Sequence, residues 1–125
     1  MAGLTLDAGA LIAFERNDRR LVAMIAQSLE HGLTLAVPAG VVGQVWRDGR
    51  RQARLARFLG SDAVEIETLD DHRARHAGQL CGVTGATDVI DASVVLCAWA
   101  RGHRIATSDP DDIHRLDPSV HVIIV

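Results

Sequence analysis

The stretch from Asp88 to Asp109 constrains this chain most. It opens with two acids, Asp88 and Asp91, and continues into an apolar run from Ala92 to Ala100. Arg101-Gly102 and Arg104-Ile-Ala-Thr107 follow, and the stretch ends at Asp109. The apolar run is long enough for a helix and too short for a membrane span. A cation in the last turn with a glycine behind it is a helix-ending signal. Arg104 to Thr107 reads as a short buried strand that delivers Asp109 at its carboxyl end. One helix and one strand thus bring acids to two ends that can face each other. In open α/β sheets, ligands bind beyond the carboxyl ends of the strands.

The rest of the chain repeats this alternation. Gly3 to Leu6 reads as a strand ending at Asp7, with a helix starting at once over Ala8 to Phe14. Asp18 can cap a helix from Arg19 to about His31, which Gly32 ends. Leu33 to Val37 is a second strand, and Pro38 suits the first turn of a helix running through Val45 and Trp46, with Gln44 inside it. A further helix is expected from near Arg50 to Leu59, then a strand over Val64 to Ile66. Asp70 and Asp71 open the next helix, where negative charge suits the dipole. After Asp109, residues 110–116 form a short turn or helix, and Val120 to Val125 is a last strand. Mostly apolar strands alternating with helices predict one α/β domain over residues 1–125, with a mainly parallel sheet between helical layers.

Composition narrows the function classes. A net charge of −3 gives no nucleic-acid signal by itself. All thirteen basic residues are arginine; arginine suits phosphate contacts, but GC-rich codon bias is the favoured account. Five of them fall between Arg47 and Arg57. On a helix starting near Arg50, Arg50, Arg54 and Arg57 would share one face, either a solvated surface or a track for RNA phosphates. Cys81 and Cys97 form no CxxC pair and read as buried free thiols of a reducing cytosol, so a cytoplasmic location is expected. The six histidines form no HxH or HExxH pair and read as surface or hinge residues. No signal peptide or transmembrane segment is visible, and membrane association is not expected.

In a parallel sheet, Asp7 and Asp109 emerge on the edge where the helix bearing Asp88 and Asp91 begins. Each acid has a capping alternative, but crowded carboxylates repel unless a cation neutralises them. Mg²⁺ or Mn²⁺ prefers such oxygen donors, and the chemistry that fits is phosphodiester hydrolysis. A phospho-receiver domain would need a lysine, and none is present; no GxGxxG or GxxxxGK[ST] loop appears either.

Leu6-Asp7-Ala-Gly-Ala-Leu-Ile-Ala, Asp91-Ala-Ser-Val-Val-Leu-Cys-Ala and Ile105-Ala-Thr-Ser-Asp109-Pro-Asp-Asp-Ile resemble, in that order, the three acidic motifs of PIN domains, and within them of VapC-type toxins. The resemblance covers nearly the whole chain. It implies a three-layer α/β/α fold and a metal-dependent endoribonuclease whose products carry a 5′-phosphate. It also implies a homodimer, inhibition by a cognate antitoxin, and a cellular RNA substrate of the tRNA or rRNA kind. Carried over, Asp7, Asp91 and Asp109 match the catalytic metal-site acids, Asp88 an additional acid, and Thr107 a hydroxyl residue near the site. Where the family usually has a glutamate, this chain has Gln44, which supplies an oxygen but no charge. That departure keeps a second reading open, a weakened domain that binds RNA or protein without cutting. A third, cleavage of DNA, is left open because the same metals serve both nucleic acids.

Overall fold

The computed structural model describes residues 3–125. Five strands form one sheet: β1 (Leu4–Leu6), β2 (Leu35–Pro38), β3 (Val64–Glu67), β4 (Arg104–Thr107) and β5 (Val122–Ile124). Every pairing is parallel, and the order across the sheet is β3-β2-β1-β4-β5. The helices are α1 (Ala8–Glu15), α2 (Arg19–Glu30), α3 (Ala39–Val45), α4 (Ala53–Leu59), α5 (Asp71–Thr84), α6 (Val89–Arg101) and α7 (Pro110–Leu116). This is the expected three-layer α/β/α architecture, with its sheet parallel throughout.

The central strand is covered on both faces: Leu4, Thr5 and Leu6 are each 0% exposed. β1 and β2 are accordingly buried without alternation, whereas the edge strand β3 alternates as Val-Glu-Ile-Glu. α6 is the central helix, buried without interruption from Ala92 to Ala98. Asp88 caps its start by accepting from the N–H groups of Ile90 (2.9 Å) and Asp91 (3.0 Å). Gly102 ends it at φ 65°, a left-handed conformation that glycine adopts without a Cβ penalty. Asp18 and Asp70 cap α2 and α5 in the same way. Among the described residues no single helix is long and apolar enough to cross a membrane.

Three expectations need correction. Pro38 closes β2 rather than opening the next helix, so α3 begins at Ala39. α4 starts at Ala53, which leaves Arg50 in the preceding turn, so Arg50, Arg54 and Arg57 do not share one helical face. His103 lies at a helix–strand junction but is buried, not superficial.

Connectivity places a crevice. From β1 the chain crosses outward through α1 and α2 to β2, while from β4 it crosses the other way through α7 to β5. β1 and β4 are hydrogen-bonded neighbours whose connections leave in opposite directions. The gap beyond their carboxyl ends is therefore the topological switch point of the sheet.

Candidate functional site

Asp7 and Asp109 stand at that switch point. The Asp7 N–H donates to the Ala106 carbonyl at 3.2 Å, which ties the two strand ends together. Asp7 is 7% exposed and is the N-cap of α1, its Oδ1 accepting from the Ala10 N–H at 3.0 Å. The capping reading of Asp7 is thus observed, and it does not exclude a further role. Burial pushes the Asp7 carboxyl above the usual carboxylate range, with the nearby Asp109 charge adding to the effect. Hydrogen bonds from the Thr107 hydroxyl and from the Ala10 and Gly9 N–H groups oppose it.

Thr107 links the two acids. Its fully buried hydroxyl faces the Asp7 carboxylate, and its Oγ1 accepts from the Asp109 N–H at 2.9 Å. Asp109 precedes α7 without capping it through its side chain, so its carboxylate is not consumed by the helix. Gly9 permits this closeness. A Cβ there would run into Ser108 Oγ and come within 2.8 Å of Ser108 Cβ, so Ser108 would have to shift.

Asp91 joins the pair from the first turn of α6. Its carboxyl is pushed up to about 6, first by burial and then by the charges of Asp88, Asp112, Asp7 and Asp109. Carboxylates from the ends of β1 and β4 and from the start of α6 thus act on one another. Asp88 is partly committed, since one of its oxygens holds two α6 N–H groups. A cleft of about 240 Å³ opens beside Asp91, lined by Thr87, Asp88, Asp112 and Arg115 among others; Asp7 and Asp109 lie outside its lining.

The donor chemistry suits a hard divalent cation: several carboxylates, one hydroxyl and no cysteine or histidine. The acids face one another but are not drawn into a ring: among the described residues, no three Asp, Glu, His or Cys side chains surround a common point at metal distance. Gln44 is exposed on α3 and forms no hydrogen bond among the described residues. It lies one turn beyond Gly40, where any Cβ would run into Ile90 Cδ1, so the Gly40–Gln44 stripe turns toward the start of α6.

The arginine set is not at this site as a group. Arg54 is engaged elsewhere: its Nε donates to the Phe14 carbonyl (3.0 Å), a terminal nitrogen to Asn17 Oδ1 (2.9 Å), and its guanidinium lies 4.7 Å from the Phe14 ring centre. Arg54 anchors α4 to α1. Arg57 is exposed and flanks an apolar groove between α2 and α4. Two residues of the cleft, Asp112 and Arg115, are not singled out by the sequence motifs. Counting three and six onward from Asp109 along a helix finds both.

No protein-family model and no curated protein sequence matches the chain. Its backbone does match solved structures. One is VapBC2 from Rickettsia felis bound to a DNA fragment from its promoter, with a TM-score of 0.74, 13% identity and 98% of both chains covered. Another is FitAB bound to an IR36 DNA fragment, with a TM-score of 0.66, 18% identity, and 97% of this chain and 94% of that one covered. A third is FitAcB from Neisseria gonorrhoeae, with a TM-score of 0.64, 19% identity and 96% of each chain covered. At these identities the likeness is one of fold. The three-layer fold that the acidic motifs imply is the fold of this chain, and it is shared with these solved structures.

Proposed function

We propose that this chain is a Mg²⁺- or Mn²⁺-dependent endoribonuclease and the toxin of a toxin–antitoxin pair. The observation that carries this reading is the meeting of Asp7, Asp109 and Asp91 at the switch-point crevice, from three distant parts of the chain. The similar structures are complexes of paired proteins on DNA, which supports a cognate antitoxin as partner. A homodimer and a cytoplasmic setting, which suits two buried free thiols, belong to the same reading.

In this reading Asp7, Asp91 and Asp109 would hold the cation, with Asp88 in support. The cation supplies polarisation of the phosphoryl oxygen, easier deprotonation of water, and stabilisation of the leaving oxygen. The chain's own residues set the geometry. Thr107 orients Asp7 and fixes the Asp109 backbone at once. Burial and like charge push the Asp91 carboxyl up to about 6, and a bound cation would hold it ionised.

The test is cleavage of total RNA in Mg²⁺ or Mn²⁺ with mapped ends, beside Asp7→Asn. The variant keeps a good N-cap and should fold yet leave RNA intact. Cleavage at the native rate by Asp7→Asn refutes the assignment. The neutral, exposed Gln44 favours one rival, a domain that grips RNA or a protein without cutting; growth arrest that persists in Asp91→Ala would decide for it. Parallel digestion of single-stranded RNA and DNA separates ribonuclease from deoxyribonuclease.

A further inference from the structure

The cleft beside Asp91 contains a cation that the acid-centred reading does not use. Asp112 and Arg115 lie three residues apart on α7, hence on one helical face, and both line the cleft opposite Asp88 and Asp91. Arg115 has Asp111 at i−4 and Asp112 at i−3, the spacings at which helical ion pairs form. The chain does form such a pair elsewhere, between Arg75 and Asp71 at 3.0 Å. Arg115 forms none: among the described residues no carboxylate lies within 4.0 Å of its guanidinium, and the side chain is exposed.

With Asp88 and Asp91 given to the cation, a phosphodiester entering this cleft still meets the carboxylate of Asp112, which repels it. It needs a fixed positive group on the wall, and Arg115 is the one cationic residue among those lining the cleft. A guanidinium presents a planar fork that matches two phosphate oxygens. We propose that Arg115 is a positioning residue that grips an RNA phosphate next to the scissile one, drawing the strand along α7 toward Asp91. The inference rests on the ribonuclease reading and adds where the substrate lies.

The experiment measures binding of a single-stranded RNA oligonucleotide, by fluorescence anisotropy across a salt series, to the full chain carrying Asp7→Asn. Adding Arg115→Ala should raise Kd about tenfold and flatten the log–log salt slope by about 0.7, the value for one lost phosphate contact on a single strand. Arg115→Lys should keep the slope and recover part of the affinity, because a point charge replaces a fork. Arg75→Ala, outside the cleft lining and paired with Asp71, should change neither. In the otherwise native chain, Arg115→Ala should raise KM more than it lowers kcat. An unchanged Kd, or a weaker Kd with an unchanged slope, overturns the grip while leaving the ribonuclease reading standing. Cleavage by Asp7→Asn itself, or no salt-dependent RNA binding by the parent, overturns both.

Discussion

Two clusters of ionisable groups sit on this small sheet and treat charge in opposite ways. Around Arg101, at the end of α6, each acid has a cation. Arg101 pairs with Glu65 at 2.7 Å and also with Glu67, and Arg73 meets Glu67 at 3.0 Å. The Arg101 guanidinium holds the Glu65 carboxyl below the usual range. Close by, buried His103 is satisfied on both ring nitrogens, by Thr5 Oγ1 (3.1 Å) and Thr34 Oγ1 (3.0 Å). At the other end of α6, Asp7, Asp91, Asp109, Asp88 and Asp112 crowd together. Among the described residues no arginine is paired with any of them, and Asp91 and Asp7 are pushed up instead. A chain with thirteen arginines had the means to neutralise the second cluster and did so only at the first. Unneutralised like charge in a crevice is what makes the second cluster the candidate site.

The contrast can be broken at several points. The largest effect is expected at Asp7: Asp7→Asn should lower metal-dependent RNA cleavage by about a hundredfold or more, since a lost carboxylate ligand removes several kcal/mol of charge stabilisation. Circular dichroism should show the fold unchanged, because asparagine also caps. Next comes Thr107→Val, of equal shape but with neither hydrogen bond. It should weaken metal affinity about 10- to 100-fold, the usual consequence of freeing a ligand from its orienting partner. Calorimetric metal titration measures it.

At the paired cluster the effect should fall on stability alone. Arg101→Ala leaves Glu67 half-stranded and should cost about 2 kcal/mol in denaturant melts, while RNA cleavage per folded molecule stays native. The smallest effect sharpens the comparison through pH. The folded-state pKa of Asp91, about 6, lies above the ordinary value of about 4, so the folded state keeps a proton that the unfolded chain loses. This acid therefore lowers stability as pH rises from about 4 to about 6. Asp91→Asn should raise Tm at pH 8 by a few degrees, and the difference should close by pH 4. His103 has the opposite sign: its pKa is lowered by burial, so its contribution is lost as pH falls below about 6.5. In His103→Gln that acid-side loss should disappear.

Much of this was legible in the residues. Apolar runs, capping aspartates and glycines after helices marked all five strands and the long helices, because these signals are local. The alternation of strand and helix then placed Asp7, Asp91 and Asp109 on one edge of the sheet. What escaped depends on distant partners. Nothing local says that Arg54 is held by Phe14 and Asn17, or that His103 is buried between two threonines. Asp112 and Arg115 escaped for another reason. Residues 110–116 could be turn or helix, and only the helix puts both on one face.

In the proposed reading, a divalent cation would make the crowded acids of the crevice tolerable together. Titration of Mn²⁺ into the native chain at pH 6, in two buffers of different ionisation enthalpy, tests it most directly. Saturable binding with proton release from Asp91, abolished by Asp7→Asn, is the predicted result. Absent binding, or binding that Asp7→Asn leaves intact, would contradict it.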